Sequence, residues 1–258
     1  MSKNSESTQR VSVVTGVAMG IGAQVCEYLA AAGHLVLVAD LDAQAAAATA
    51  DRLTQADGKA IALAMDVGRP ESIAQAFAQV ERDFGRCDIL VNCAGIAKVS
   101  PFLDFPLDDF AAMMNVNVTG TLLCAQAAAR LMLRRHWGRI VNIASVAGIR
   151  AVGTGRTAYG TSKAAVIALT RQMAVELAEH GITANAVAPG QVDTPMTRLL
   201  HTDRFREEYA KAIPMNRYGT TAEIAAAVMY LVSDAASYTS GVVLPVDGGF
   251  LASGARGL

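Results

Sequence analysis

The sequence predicts a doubly wound α/β fold, a parallel sheet of seven strands with helices on both faces. Three observations predict it. Short β-rich runs alternate with Ala-rich helical stretches along the whole chain, the pattern of parallel strands joined by right-handed crossovers. The chain is 52% hydrophobic and only 17% charged, which suits a sheet buried on both faces. A glycine-rich stretch separates the first strand from the first helix, where such sheets bind ligands.

The elements follow in order. Strand-like runs occupy residues 11–14, 35–39, 60–64, 89–92, 139–143, 183–187 and 242–246. They are short, apolar and rich in Val, Ile and Leu. Helical patterns fill residues 21–32, 43–56, 71–84, 108–136, 158–180 and 222–233, each long enough to cross the sheet. Residues 1–10 form a polar tail, and residues 11–258 read as one domain. The one irregular insert, 191–216, leaves the carboxyl end of the sixth strand and is a candidate lid over a substrate.

Charge excludes some partners. Lys and Arg total 22 against 23 for Asp and Glu, so no net charge draws the chain to nucleic acid or to a membrane surface. The basic run at 130–139 suits the C-terminal end of a helix. Residues 111–129 lack charge but carry Asn115, Asn117, Thr119, Thr121 and Gln126, so they read as a buried helix and not a membrane span. The four cysteines, Cys26, Cys87, Cys93 and Cys124, form no CxxC or zinc spacing. With a start that lacks the apolar core of a signal peptide, they imply reduced thiols in a cytoplasmic protein.

The first half carries nucleotide chemistry. "VVTGVAMGIG" places Gly16, Gly20 and Gly22 between strand and helix, where backbone can approach a pyrophosphate and a helix N-terminus meets its charge. The spacing is Gly-x3-Gly-x-Gly, which a tight turn binding nothing could also show. Asp40 ends the second strand, 18 residues beyond Gly22, near the ~20 expected of a carboxylate on an adenosine ribose. Asp42 suits a helix N-cap. Asp66 ends the third strand and can meet an adenine or serve as a plain loop acid.

In the second half, "TAYGTSKAAV" sets Tyr159 and Lys163 four residues apart, on one face of a helix. A free phenol ionises near pH 10, and a fixed neighbouring cation favours the phenolate a base needs. Alone, the pair is also what a half-exposed tyrosine beside a solvated lysine would give.

Taken in order, "TGVAMGIG", "NCAG", "VNVTG", "NIASVAG", "YGTSK" and "APGQVDTP" resemble the short-chain dehydrogenases/reductases of the single-domain, roughly 250-residue branch, from about Val11 to Gly249. The resemblance implies a Rossmann-like fold, an NAD cofactor and hydride transfer between a secondary alcohol and a ketone. It implies that Tyr159 is the catalytic acid/base, Lys163 its partner, Ser145 the holder of the reacting oxygen and Asn117 the anchor of a relay water. Around the cofactor it implies Gly16, Met19, Gly20, Ile21 and Gly22 at the pyrophosphate, Asp40 at the ribose, and Asp66 and Val67 at the adenine. Asn92, Ala94 and Gly95, with Val192 and Thr194, would flank the nicotinamide, beside Tyr159 and Lys163. Cys93 stands where the family most often has a second Asn, and the step from Ser145 to Tyr159 is one residue longer than usual.

The expected substrate is a small-molecule alcohol or ketone, and its pocket should draw on residues 145–156, with Ser145 and Arg156, and on the lid, with Met196, Leu199, Leu200, His201, Phe205 and Tyr209. Arg150 and Arg156 either bind an anionic group or face solvent. Two alternatives stand beside the NAD-linked alcohol dehydrogenase or carbonyl reductase. One is an NADPH-dependent 3-oxoacyl reductase, which usually carries a basic residue where this chain has Met19 or Leu41. The other is a non-catalytic cofactor sensor, which commonly loses the Tyr or Lys that this chain keeps. The resemblance also implies a homotetramer, paired in part through the helices at 108–136 and 158–180.

Overall fold

A computed structural model of the chain describes residues 9–200 and 202–253, and the counts and absences below refer to them. Seven parallel strands form one sheet: β1 (Val11–Thr15), β2 (Leu35–Asp40), β3 (Lys59–Ala64), β4 (Ile89–Asn92), β5 (Gly138–Ile143), β6 (Ile182–Pro189) and β7 (Val243–Val246). Their spatial order is β3-β2-β1-β4-β5-β6-β7. The chain runs outward from β1 to β3, then returns to lay β4 on the other side of β1. That reversal opens a crevice beyond the carboxyl ends of β1 and β4. Thr15 and Asn92 are the last paired residues there.

Neighbouring residues of each strand point to opposite faces, and two cores result. Val13, Leu37, Leu90 and Ile140 pack under α3 (Pro70–Phe84) and α5 (Gly120–Leu133). Val14, Val36, Val91 and Val141 pack under α1 (Gly20–Ala31), α2 (Ala43–Gln55) and α9 (Thr221–Val232). The apolar stretch Leu107–Leu133 has the length and hydropathy of a membrane span, but its α5 part carries Cys124, Leu131 and Met132 into the first core. Asp42 caps α2, accepting from the N–H groups of Gln44 and Ala45.

Two sequence expectations change. The single helix at 108–136 is instead α4 (Leu107–Met114), a π-helical turn (Asn115–Thr119) and α5. The wide turn lets two asparagines, two residues apart, serve different loops: Asn115 donates to the Gly68 carbonyl at 2.8 Å, and Asn117 bonds the backbone of Ile96. Such π-turns often mark functional positions. The insert at 191–216 is not irregular. It holds α7 (Pro195–Leu200) and α8 (Asp203–Ala212). The remaining long helix, α6 (Thr157–Leu177), packs against β6.

Candidate active site

The crevice floor is made of backbone. Gly16 and Gly20 have φ of 70° and 69°, a left-handed conformation that side chains resist. A Cβ on Gly16 would stand 2.6 Å from Cα of Ala94, and one on Gly22 would stand 2.2 Å from the carbonyl oxygen of Gly16. Glycine at 16 lets the loops after β1 and β4 meet main chain to main chain, and glycine at 22 seats the start of α1 against the first of them. Thr15 locks them, its hydroxyl accepting from the N–H groups of Cys93 and Ala94, both at 3.1 Å. The next residues, Met19 and Ile21, open α1, and Met19 makes no side-chain cap. The first N–H groups of the helix therefore keep their partial positive charge toward the crevice. A pyrophosphate fits this floor.

A cavity of about 410 Å³ runs above it. At one end lie Asp40, Asp66 and Val67. The Asp40 carboxylate accepts from the N–H groups of Ala18 at 2.9 Å and Asp42 at 3.1 Å, which fixes it and leaves lone pairs for further donors. Beside it Met19 and Leu41 are exposed and offer no cation. Asp66 is also a loop acid, accepting from the Gly68 N–H at 2.8 Å.

At the other end lie Ser145, Tyr159 and Lys163. The first turns of α6 carry Tyr159 and Lys163 on one face, with the Lys163 Nζ 5.8 Å from the centre of the Tyr159 ring. Lys163 is buried, and its ammonium donates to the carbonyl of Ile143 at 2.8 Å. Ser145 follows β5 by two residues and accepts from the Ala147 N–H at 3.1 Å, so its own proton is available to another acceptor. Asn117 is not in the cavity wall. It lies behind Gly95, where a Cβ would stand 3.1 Å from its Oδ1 and 3.4 Å from the Lys163 Nζ. Its Nδ2 donates to Ser162 Oγ at 3.0 Å, and Ser162 donates to the Tyr159 carbonyl at 2.8 Å. Asn117 is thus tied to the helix that carries Tyr159.

The remaining expected residues divide. Ala94, Gly95, Val192, Thr194 and Arg156 line the cavity. Asn92 does not. It is buried beneath the loop, donating to the Asn142 side chain at 2.9 Å. Thr194 reaches across the cleft, its Cγ2 3.7 Å from where a Gly20 Cβ would lie. Arg150 lies over the Phe250 ring. Leu199 and Phe205 are exposed. The Met196 and Leu200 side chains and all of His201 lie outside the described residues. Burial pushes the Cys93 thiol up to about 11 although Lys163 pulls it down, so Cys93 contributes its backbone and no nucleophile. Sequence reasoning missed Thr15, Ser162 and Gln191. Only Thr15, directly before the glycine turn, left a local signal.

The model of a protein family described as enoyl-(acyl carrier protein) reductase matches residues 16–251. A 3-oxoacyl-[acyl-carrier-protein] reductase from Aquifex aeolicus is 40% identical over 241 residues, covering 93% of this chain and 96% of its own. A short-chain type dehydrogenase/reductase from Mycobacterium marinum superposes with a TM-score of 0.90 at 37% identity, over 95% of this chain and 96% of that one. A gluconate 5-dehydrogenase from Burkholderia cenocepacia, in complex with NADP and tartrate, superposes with a TM-score of 0.91 at 34% identity, over the same shares. With these relatives across nearly its whole length, and its glycine turn and Ser-Tyr-Lys cluster at one crevice, the chain belongs to the short-chain dehydrogenase/reductase family of nicotinamide-dependent oxidoreductases.

Proposed function

We propose that the chain interconverts a ketone and a secondary alcohol, with reduction of a 3-oxoacyl compound as its activity. One observation carries the reading. Ser145, Tyr159 and Lys163 converge on one end of a cavity whose floor is the glycine turn. The named relative from Aquifex aeolicus supports the 3-oxoacyl class over the general alcohol dehydrogenase that the sequence alone suggests. A second reading, oxidation of a small hydroxy acid, is favoured by the gluconate 5-dehydrogenase likeness.

Bound, the nicotinamide supplies or accepts the hydride. Gly16, Met19, Gly20, Ile21 and Gly22 would hold its pyrophosphate, Asp40 its ribose, and Asp66 and Val67 its adenine. The backbone of Ala94 and Gly95, with Val192 and Thr194, would hold the nicotinamide end, where Lys163 would donate to the ribose. The Tyr159 hydroxyl gives its proton to the carbonyl oxygen in reduction and takes it back in oxidation. Ser145 donates to the same oxygen and fixes its position as charge develops there. The buried Lys163 ammonium favours an anionic oxygen nearby. Asn117 holds the loop at Gly95 and Ile96 and would anchor a relay water behind it.

The neighbour from Burkholderia cenocepacia holds NADP, which supports the phosphorylated cofactor. The chain's own residues support NAD(H). A 2′-phosphate would face the Asp40 carboxylate, and neither Met19 nor Leu41 offsets that repulsion. A homotetramer in the cytoplasm completes the reading, supported by the exposed Phe102, Leu103, Leu107 and Val175 on and beside α4 and α6. Steady-state rates with NADH and NADPH, on a 3-oxoacyl thioester and on small hydroxy acids, test it. Turnover of the thioester is expected. Turnover of the hydroxy acids alone would select the second reading, and turnover of neither class would refute both.

A further inference from the structure

One turn of helix bridges the adenosine end of the cavity and the catalytic end. It is the π-helical step Asn115–Thr119 between α4 and α5, closed by the Gly120 N–H donating to the Asn115 carbonyl five residues back. One side of the turn is fastened to the loop after β3. The exposed Asn115 side chain donates to the Gly68 carbonyl at 2.8 Å, and the Gly68 N–H donates to the Asp66 carboxylate at 2.8 Å. A Cβ on Gly120 would stand 2.6 Å from the Val67 carbonyl oxygen, so the end of the turn rests on the same loop. Asp66, Val67 and Val116 line the cavity together. The other side of the turn is fastened to the catalytic end. The buried Asn117 bonds both main-chain polar groups of Ile96 and donates to Ser162 Oγ at 3.0 Å. Ser162 in turn donates to the Tyr159 carbonyl at 2.8 Å.

We propose that this turn couples the two ends. The adenosine half of a nucleotide, held at Asp66 and Val67, steadies the turn, and the turn steadies Ile96 and the helix of Tyr159. Asn115 is then a positioning residue that touches no reacting group. This rests on the ketone–alcohol reading and on the placement of the adenine, and it gives the far end of the coenzyme a use beyond affinity. Binding energy from a remote part of a ligand can order a reacting centre in this way. Linkage makes the effect reciprocal: order that the adenosine half imposes at Tyr159 is returned as affinity when the catalytic end is filled. The route ends on the main chain of Ile96 and Tyr159 and not on the substrate walls, so it should serve every ketone alike. A second route runs through the floor, where Gly16 abuts Ala94. A probe limited to adenosine monophosphate, with a variant at Asn115, separates the two.

Hydrogen exchange on the full chain reads the coupling without turnover. Saturating adenosine monophosphate should slow exchange of the Ile96 amide and of residues 157–163 by about fivefold or more. Asn115→Ala, saturated with the same nucleotide, should lose that slowing, and Asn115→Gln, which keeps an amide donor, should regain part of it. Kinetics tests the same link at the chemistry. With reduced nicotinamide mononucleotide as hydride donor, adenosine monophosphate should raise turnover of a 3-oxoacyl thioester by about fivefold or more in the wild type, and much less in Asn115→Ala. The readout is the ratio with and without nucleotide, so a general loss of stability in the variant divides out. Nucleotide that fails to bind, or that binds and leaves Ile96 exchange unchanged, overturns the coupling. Equal slowing in Asn115→Ala overturns it too, and leaves the turn a static brace. Slowing without activation, in a chain that reduces ketones with NADH, shows that the link stops short of the chemistry and also overturns it. If no ketone is reduced while the slowing depends on Asn115, the coupling stands and the reductase reading falls. If ketones are reduced and the slowing is absent, the reductase reading stands and the coupling falls.

Discussion

The side-chain amide of Asn117 bonds both main-chain polar groups of Ile96, accepting from its N–H at 2.8 Å and donating to its carbonyl at 3.0 Å. An asparagine used this way substitutes for a strand neighbour. It holds a loop that has left β4 and has no ladder to follow. The same amide also bonds Ser162, on the helix of Tyr159. Loop and helix are therefore registered through one buried residue.

Asn117→Ala leaves the polar groups of Ile96 without their partner. The variant should lose about 1–3 kcal/mol of stability, the cost of unsatisfied buried groups, seen in a denaturant melt. Turnover should fall by more than the melt explains, because Gly95 and Tyr159 lose their common anchor. A variant with lowered stability and full kcat would reduce Asn117 to a structural role.

Tyr159→Phe keeps the ring and removes the hydroxyl. Turnover should drop by about 10²–10⁴, the usual contribution of a general acid or base. Cofactor affinity, measured by fluorescence titration, should stay near wild type because the glycine turn and Asp40 are untouched. Lys163→Ala should lower both, since its ammonium sits in the cavity wall. Near-normal turnover by Tyr159→Phe would remove the phenol from the chemistry.

Asp40→Ser removes a fixed charge beside the proposed ribose site. The ratio of kcat/KM for NAD(H) over NADP(H) should fall by about tenfold, equivalent to about 1.4 kcal/mol. A wild-type chain that already prefers NADP(H) would show that the 2′-phosphate finds compensation elsewhere.

The segment that follows β6 has an electrostatic clasp. Asp193 accepts from Arg198 at 2.8 and 3.0 Å and from Arg206 at 2.9 Å, tying α7 and α8 to the end of β6. The bond from Arg198, aided by Arg206, lowers its pKa from 3.8 to about 2. Because the folded value is depressed, the clasp contributes fully above the ordinary carboxylate pKa and is lost as pH falls through about 2. Hydrogen exchange in α7 and α8, corrected for its intrinsic pH dependence, should hold steady from neutral pH down to about pH 4 and rise below it. Asp193→Asn should show the raised exchange at neutral pH. Its salt sensitivity should be small in the variant and visible in the wild type.

Much of this site is readable in the sequence because local spacing carries it. Gly16 and Gly22 follow a strand, Asp40 ends the next one, and Tyr159 and Lys163 share a helical face. Each needs only the geometry of its own element. The π-turn at Asn115–Thr119 was not readable, since composition suggests one unbroken helix and only the demands of two separate loops open the turn. Ser162 and Gln191 were hidden for the same kind of reason. Asn117 and Gly219, their partners, lie far off in sequence, and serine and glutamine are unremarkable on helices and loops. Arg156 was visible as a charge, and the fold places it among the residues that line the cavity.

The close approach of Gly16 to the Ala94 backbone and of Gly22 to the Gly16 carbonyl leaves those two positions of the crevice floor no room to vary. Diversification in this lineage would then be confined to the walls, with residues near 40 deciding which coenzyme is accepted and residues 145–156 and 191–216 deciding what is reduced. The two traits are carried on different segments of the chain. They can be exchanged independently, and a graft of residues 191–216 from a relative should transplant substrate preference while leaving the host's coenzyme preference behind.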